Sequence, residues 1–283
     1  MPPRTTPTER QKRLGTELRK MRLAAGRSTD YAARLLGIDR TKISNIESGV
    51  RAITPDRLRT LACNYACTDA RYVEALVDMA ADRKRGWWEQ FRGTLAAGLL
   101  DIAELEWHAV RVRTSQVMHL PGLLQTEEYA RAIFGSVIPP MPRLEVELHV
   151  AHRMQRQQVF EGDSPLDYVG YIHEAALRMQ FGGRKVTLEQ LNHLVLMSER
   201  HHLELRVLPV ETGAFPGAGH ATLYAEGPVP QLDCVQLDSA GGPCFEYAEA
   251  QVARYGAHLD WMERNALDPV RSRDFIHHIT RDL

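Results

Sequence analysis

Residues 28–49, STDYAARLLGIDRTKISNIESG, contain two short amphipathic segments separated by a glycine. Ser28 is placed to cap a first helix, Gly37 to end it, and Asp39 to cap a second helix. The apolar residues predicted to face inward from these two helices are Ala32, Ala33, Leu35, Leu36, Ile43 and Ile46. Two short helices joined by a tight glycine turn indicate a helix-turn-helix, whose second helix enters the major groove of DNA.

The second predicted helix ends in the string ISNIESG at residues 43–49. With its spacing from the turn, this string resembles the XRE family of helix-turn-helix regulators, the relatives of the lambdoid phage repressors. The resemblance implies a lambda-repressor-like domain in which Glu47 braces the helices. Members of that family usually carry a glutamine where this chain has Thr29, and a large apolar residue where it has Ala32. The first of these positions implies a phosphate contact at Thr29.

Apolar periodicity on both sides of this motif predicts an all-α domain of about five helices over residues 14–86. One helix precedes the motif and ends near Gly26. The Thr-Pro-Asp sequence at residues 54–56 predicts the start of a fourth helix, and a fifth is expected over residues 69–83. The predicted inward positions of these flanking helices are Leu14, Leu18, Met21, Leu58, Leu61, Ala62, Val73, Leu76, Val77 and Ala80. Because residues 1–13 are rich in proline, threonine and charge, we expect them to form a disordered arm.

Charge is distributed unevenly along the chain. The whole chain is nearly neutral, with 35 basic and 36 acidic residues. Residues 1–86 carry 18 Lys and Arg against 10 Asp and Glu, a net charge of +8, and the remainder carries −9. Arginine-rich helices are often only solvated surfaces, but basic charge on a small domain that also carries this motif favours binding to the phosphate backbone of double-stranded DNA.

The geometry of a recognition helix predicts which side chains contact DNA. Residues in its first turn, and those one turn further along, share the groove-facing side. The predicted base-contacting residues are Arg40, Thr41, Ser44 and Asn45. Arginine suits guanine, asparagine suits adenine, and the threonine methyl suits thymine. The predicted phosphate-contacting residues are Ser28, Thr29, Lys42, Ser48 and Arg51.

Residues 87–283 are expected to form a second domain, large enough to bury its own core. Helical periodicity occurs at residues 87–110, 124–134, 144–160, 188–202, 248–264 and 269–279. Strand-like patterns occur at residues 168–173, 203–208, 221–225, 234–237 and 245–247. Strands concentrated late in the chain, with a hairpin among them, predict an α+β domain in which helices back a small antiparallel or mixed sheet.

Several strings in this second domain carry a further resemblance. They are Trp87-Trp88, Arg111-x-Arg113-Thr114, PGLLQT at residues 121–126, YARA at residues 129–132 and RVLP at residues 206–209. They are similar to an actinomycete-type group of regulators that join an XRE domain to a large C-terminal domain of unassigned biochemistry. The resemblance implies antitoxin-like regulators, often paired with a small partner protein.

No catalytic site, cofactor or metal site is predicted. The chain has no G-x-S-x-G string and no phosphate-cradling glycine loop, so we do not expect an enzyme. Glu145, His149 and His152 share a helical face, but 12 histidines make such coincidences common and no fourth zinc ligand is placed. The four cysteines form no C-x-x-C pair, and we interpret Cys63 and Cys67 as buried small apolar residues.

The role of the second domain has alternatives. Arg111, Arg113 and Tyr129 are candidates for a pocket that binds an anionic ligand. Pairing of Arg113 with acidic residues inside the fold is the favoured alternative. The candidates for a dimer seam or a partner's docking face are Trp87, Trp88 and Phe91. We expect a homodimer, because one helix in one groove reads too few bases.

Two hypotheses for function follow. In the first, the chain is a DNA-binding transcriptional regulator whose C-terminal domain, over residues 87–283, dimerises and senses a ligand or a partner. In the second, it is an antitoxin-like interaction protein that sequesters a small soluble partner and regulates its own operon. A few free cysteines suit a reducing cytoplasm. The sequence has no run of 18 apolar residues, so we expect no membrane span. We therefore expect a cytoplasmic protein without membrane contact.

Overall fold

The computed structural model describes residues 6–82, 85–239 and 241–283. The chain divides into two compact units, and the first comprises Met1–Glu89 together with Pro228–Gln231. The second comprises Gln90–Gly227 and Leu232–Leu283. The division after Glu89 lies three residues beyond the expected domain boundary. In the ranges that the structure describes, no helix has both the length and the apolar character needed to cross a membrane.

Among its described residues, the first unit contains five α-helices, as the sequence predicts. They are α1 (Glu9–Ala24), α2 (Thr29–Leu36), α3 (Arg40–Glu47), α4 (Pro55–Asn64) and α5 (Ala70–Ala81). Each begins after a side chain that accepts a hydrogen bond from a backbone N–H of the first turn, which would otherwise lack a partner. These capping residues are Thr8, Ser28, Asp39, Thr54 and Asp69.

The first helix begins earlier than the sequence analysis predicts. The Oγ1 of Thr8 accepts a hydrogen bond from the Gln11 N–H, and the Thr8 N–H donates to Oε1 of Gln11 at 3.1 Å. This reciprocal pair is a capping box, which fixes the start of a helix. Arg13 is helical and only 5% exposed. The predicted disordered arm is therefore wrong for residues 9–13, and its first five residues lie outside the described ranges.

The core of the first unit is formed by the predicted apolar faces. The largest fully buried side chains there are Leu18, Ile43, Leu58 and Leu76. Burying each such side chain contributes roughly 1.5–3 kcal/mol to folding. Leu14, Leu35, Leu36 and Val73 are only half-buried, at the edge of this core. Cys63 is exposed and Cys67 is half-buried in the loop after α4, so the interpretation of both as buried apolar residues is wrong.

The second unit combines helices with one sheet. The helices described in it are α6 (Ala97–His108), α7 (Glu127–Gly135), α8 (Arg143–Arg156), α9 (Glu174–Arg178), α10 (Gly183–Met197), α11 (Glu249–Asn265) and α12 (Pro269–Asp282). The described strands are β1 (Arg111–Gln116), β2 (Asp167–His173), β3 (Leu203–Leu208), β4 (Thr222–Glu226), β5 (Cys234–Ser239) and β6 (Gly242–Glu246). Short 3-10 helices occur at Trp87–Phe91, Gly122–Leu124, Gln157–Phe160, Val210–Thr212 and Pro230–Leu232.

The sheet is mixed, which confirms the predicted α+β class. The described strands have the order β3-β2-β1-β4-β5-β6. The pairs β1–β2 and β2–β3 are parallel, whereas β4, β5 and β6 join by antiparallel pairing. Cys244 lies opposite Leu237 in the last hairpin. The central strand β1 was not predicted, because Val112 is its only large apolar residue.

Helices cover both faces of the sheet. On one face, Val112, Tyr168 and Leu223 pack in a core that includes residues of α10 and α12. On the other face, Tyr171 and Val235 pack against α11. Side chains alternate between the faces along each strand, so neighbouring residues of β1 belong to different environments. This alternation decides where the arginines of β1 lie.

Helix α10 begins five residues before its predicted start at residue 188. Apolar periodicity is weak in its first turns, because two polar side chains face inward there. Thr187 and Gln190 are 1% and 0% exposed. The Gln190 amide donates to the carbonyl of Leu124 at 2.8 Å, and its oxygen accepts from the N–H of Thr126 at 2.7 Å. These bonds fix the PGLLQT segment against α10. An apolar periodicity search does not detect inward-facing polar residues of this kind.

Candidate nucleic-acid interface

The turn between α2 and α3 is tight because a glycine ends the first helix. Gly37 has φ +62°, in the left-handed region that favours glycine. The next residue, Ile38, donates its N–H to the carbonyl of Ala33 at 3.0 Å. The chain therefore reverses within two residues, which gives the helix-turn-helix geometry that the sequence predicts.

Asp39 fixes the start of α3. Its carboxylate accepts from the backbone N–H of Lys42 at 2.9 Å and pairs with the Lys42 ammonium at 2.9 Å. The hydrogen bond from the Lys42 side chain lowers the pKa of Asp39. Both side chains are largely exposed, so the ion pair itself is weak. Lys42 can exchange this carboxylate for a phosphate at little cost.

Helix α3 has one buried face and one free face. Ile43 and Ile46 are 2% and 4% exposed and anchor the helix in the core. The predicted base-contacting residues lie on the other side: Arg40, Thr41 and Ser44 are exposed, and Asn45 is half-buried. Ser44 Oγ donates within the helix, to the carbonyl of Arg40. In the described part of the chain, no hydrogen bond or ion pair engages the side chains of Arg40, Thr41 and Asn45.

The predicted phosphate-contacting residues flank this free face. The Oγ of Ser28 caps α2 by accepting from the N–H of Tyr31 at 3.1 Å, and Thr29 follows in the first helical turn. At the other end, Ser48 is the C-cap of α3. Arg51 is exposed, and its backbone N–H donates to the carbonyl of Asn45 at 2.9 Å. The predicted residues therefore lie at the start of α2 and along and just beyond α3.

Glu47 braces the recognition helix, as the resemblance implies. Arg22 of α1 donates from Nε and Nη2 to the two carboxylate oxygens of Glu47, at 2.5 and 2.8 Å. Both side chains are about nine-tenths buried. The hydrogen bond with Glu47 raises the pKa of Arg22. The sequence analysis did not identify Arg22 as the partner, because the two residues are 25 positions apart.

Two glycines let α1 approach the end of α3 closely, and the sequence analysis missed both. A Cβ on Gly15 would lie 2.6 Å from the carbonyl oxygens of Ile46 and Glu47. A Cβ on Gly49 would lie 2.7 Å from the backbone of Gln11, and Gly49 also has φ +78°. These distances leave no room for a side chain. The ESG ending of the motif was a signal for Gly49, whereas nothing in the local sequence marks Gly15.

A further basic residue lies beside the motif. Arg27 is exposed and precedes the cap of α2, and its guanidinium lies 4.6 Å from the centre of the Tyr31 ring. This contact positions a cation at the N-terminal end of α2. The predicted site did not include Arg27, although its position next to Ser28 was a signal.

The candidate anion pocket of the second unit is not formed by the predicted residues. Arg111 pairs with Asp167 at 3.3 Å, and Arg113 pairs with Asp260 at 2.7 Å and with Glu226 at 3.2 Å. Tyr129 is fully buried in the core on the opposite face of the sheet from Asp260 on α11. The favoured alternative, internal pairing of Arg113, agrees with these contacts, and the grouping of the three residues into one pocket is wrong.

The candidate docking face of the second domain also differs from the prediction. Trp88 and Phe91 are 3% and 7% exposed, so they do not form an open apolar surface for a dimer or a partner. His152 is 2% exposed and packs edge-on against Phe91, with ring centres 5.1 Å apart. Within the described ranges, no group of three histidine, cysteine or acidic residues could hold a metal ion.

Comparison with known protein families gives two matches. A model described as a helix-turn-helix domain matches residues 13–75. A model described as a domain of unknown function, DUF5753, matches residues 99–278, which is more than half of the chain. No curated protein and no solved structure matches the chain. The first match agrees with the geometry of α2 and α3 and supports a DNA-binding regulator.

Proposed function

The chain belongs to the DUF5753 family, joined here to a helix-turn-helix domain, and on that premise we propose that it is a dimeric, sequence-specific transcriptional regulator. Residues 1–86 supply the affinity for double-stranded DNA, since they carry a net charge of +8. The domain beyond them carries −9, so it is repelled by phosphates and serves dimerisation and signal reception instead.

The observation that carries the proposal is the free face of α3. Arg40, Thr41 and Asn45 are held by a helix whose other face is anchored in the core, and their side chains have no partner among the described residues. Preorganised donors of this kind suit base edges in the major groove. We assign Arg40 to guanine O6 and N7, Asn45 to an adenine edge, and Thr41 to a thymine methyl, with Ser44 beside them.

Phosphate contacts position this helix. Their proposed donors are the side chains of Ser28, Thr29, Lys42, Ser48 and Arg51 and the unpaired N–H groups in the first turn of α2. Arg27 is added to this set, because it lies next to Ser28. These contacts carry little sequence information, and they make the affinity fall with salt concentration.

The proposed assembly is a homodimer in the bacterial cytoplasm, on an operator with two half-sites. Twofold symmetry places the half-sites about 34 Å, one turn of DNA, or a multiple of that, apart. The C-terminal domain receives a signal, which is a small ligand or a small soluble partner protein. The antitoxin-like alternative requires the partner to be the main target and DNA binding to be autoregulatory.

The experiment that tests the proposal uses the full chain. Binding-site selection from random duplexes should return a sequence with twofold symmetry. Light scattering should show a dimer at micromolar concentration, free and on the selected duplex. Anisotropy titrations should give a dissociation constant at least 10³-fold lower for the selected duplex than for a scrambled one at about 150 mM salt. Equal affinity for both duplexes, or a monomer on the selected duplex, would refute the sequence-specific dimer.

A further inference from the structure

Arg153 of α8 is a half-buried arginine whose polar partner in the described chain is neutral. Its Nη1 donates to the side-chain oxygen of Gln125. Its guanidinium also lies 4.7 Å from the centre of the Phe134 ring. No carboxylate lies within salt-bridge distance of it in the described part of the chain. Desolvation of an unpaired charge is costly, so an anionic partner would stabilise this arginine.

Two acids, Glu106 and Asp238, act on Arg153 electrostatically, but neither contacts it, and Glu106 is already paired with another arginine. Arg156, one turn further along α8, donates to both carboxylate oxygens of Glu106, at 2.8 and 2.5 Å. Glu106 is 1% exposed and Arg156 is 6% exposed, so this pair is closed to solvent. Its two charges balance each other. The positive charge of Arg153 therefore remains without a neutralising neighbour in contact.

The guanidinium of Arg153 is held in place by the PGLLQT segment. Gln125 donates to the carbonyl of Leu120 at 2.7 Å and thereby presents its oxygen to Arg153. Gln157 donates to the backbone carbonyl of Gln125 at 2.7 Å, which fixes the same residue from a second side. Gly122 lies against the guanidinium, since a Cβ there would be 3.5 Å from Cζ of Arg153. The cation is therefore preorganised.

Arg153 is accessible although protein surrounds it. Its side chain is only half-buried, yet desolvation, with a smaller contribution from the positive charge of Arg156, lowers the pKa of Arg153 to about 9. The Phe134 ring and Gly122 lie against the guanidinium, and part of the side chain stays exposed. An anion that binds the exposed part of the guanidinium would offset the desolvation cost and form charge-assisted hydrogen bonds.

His119 lies close enough to Arg153 for the two charges to interact. It is exposed, and its ring lies on that of Phe181 with centres 4.8 Å apart. The charges of Arg153 and of Asp238, at the end of β5, both reach His119. Phe134 and Phe181 add two aromatic surfaces beside Arg153 and His119. A guanidinium with aromatic walls suits an organic anion better than a hydrated inorganic one.

We propose that Arg153 and His119 bind a small organic molecule through a carboxylate or a phosphate group, and that Gln125 positions the guanidinium of Arg153. Arg153 Nη1 is engaged by Gln125, and its Nε and Nη2 remain to donate to the anion. The inference deepens the signal-receiving part of the proposed function and rests on it only for the biological consequence. Binding itself is independent of DNA.

The test is isothermal titration calorimetry on the full chain without DNA, at constant ionic strength. One arm uses benzoate, which offers a carboxylate on an aromatic ring, one uses phenyl phosphate, and one uses inorganic phosphate. We expect saturable one-to-one binding of at least one of the organic anions, and the arm that binds more tightly identifies the preferred group. Inorganic phosphate should bind at least tenfold more weakly.

Four variants make the test specific. Arg153→Gln should weaken the organic anion at least tenfold, and Arg153→Lys should weaken it several-fold, because lysine keeps the charge and loses the planar fork. Arg143→Gln, on the same helix and exposed, removes the same charge and should leave binding unchanged. His119→Gln provides a second test should Arg153→Gln not fold, with an expected loss of threefold or more.

The proposal is overturned if none of the anions binds the wild-type chain at millimolar concentration. It is equally overturned if folded Arg153→Lys and His119→Gln chains both bind like the wild type. Because DNA is absent, either result leaves the DNA-binding proposal standing. Failure to bind a specific operator, with intact anion binding, would refute the DNA-binding proposal and leave the anion-binding proposal standing.

Discussion

The guanidinium of Arg22 on α1 holds the carboxylate of Glu47, at the last turn of α3, through two hydrogen bonds of 2.5 and 2.8 Å. The same arginine donates from Nη1 to the carbonyl of Arg27 at 2.8 Å, so it also fixes the segment that leads into α2. One side chain thereby connects α1 with both helices of the motif. The orientation of the recognition helix depends on it.

We expect Glu47→Gln to lower the free energy of unfolding by about 3 kcal/mol, because it leaves the guanidinium of Arg22 buried without its charge partner. Glu74→Gln is the matched control, since Arg59 and Glu74 also form two hydrogen bonds but both side chains are about half exposed. That variant should lose less than about 1 kcal/mol. Urea unfolding of the full chain, monitored for the helical unit, measures both. Equal losses would show that burial of the Arg22 pair is unimportant.

Gly15→Ala should destabilise the first unit by about 1–3 kcal/mol and weaken operator binding. The added methyl would meet backbone oxygens of Ile46 and Glu47 at 2.6 Å, and backbone cannot move aside without shifting α3. Gly135→Ala is the control, because Gly135 is also helical and nothing lies within 4 Å of its Cβ position. Thermal unfolding and DNA anisotropy measure the two effects. Wild-type affinity of a folded Gly15→Ala chain would contradict the proposed dependence on helix packing.

Arg40→Ala and Asn45→Ala should each cost about 1–3 kcal/mol on the selected operator and much less on a scrambled duplex. The reason is that both side chains lie on the free face of α3. Arg71→Ala, which removes an exposed arginine from α5, is the charge-matched control and should change both affinities equally and slightly. Should both recognition-helix variants bind the operator like the wild type, the assignment of base contacts fails.

The lowered pKa of His152 predicts that the free energy of unfolding decreases in acid. Desolvation, together with the positive charges of Arg156, Arg153 and His149, lowers the pKa of His152 to about 3. In the unfolded chain a histidine titrates near pH 6.5, at about its ordinary pKa. Below that pH the unfolded chain binds a proton that the folded chain does not, so the free energy of unfolding falls as pH decreases from about 6.5 toward 3, by up to about 1.4 kcal/mol per pH unit.

The check is the slope of unfolding free energy against pH between about 6 and 4. His152→Gln should reduce that slope by about one proton, whatever it does to the stability itself. His277→Gln, an exposed substitution on α12, should leave the slope unchanged. An unaltered slope in the His152→Gln chain would mean that the folded state protonates His152 readily.

Local signals predicted much of the fold. The caps at Ser28, Asp39 and Thr54 and the glycine at position 37 determine where helices begin and end, because each acts within a few residues. Strand β3 was predicted at its observed bounds, since buried and half-buried residues alternate over residues 203–207. The capping box at Thr8 was an equally local signal, and compositional bias in the first residues obscured it.

The sequence by itself therefore determined the helix-turn-helix, the free face of α3 and the α+β class of the second domain, because all three depend on periodicity and capping. Only the tertiary structure decided that Glu47 pairs with Arg22, that Gly15 must lack a side chain, and that the acidic partners of Arg113 are Asp260 and Glu226. It also decided that the described contacts of Arg153 include no acid. Each of these depends on residues far apart in the chain that packing brings within a few ångströms. No pattern within a single segment encodes such a contact.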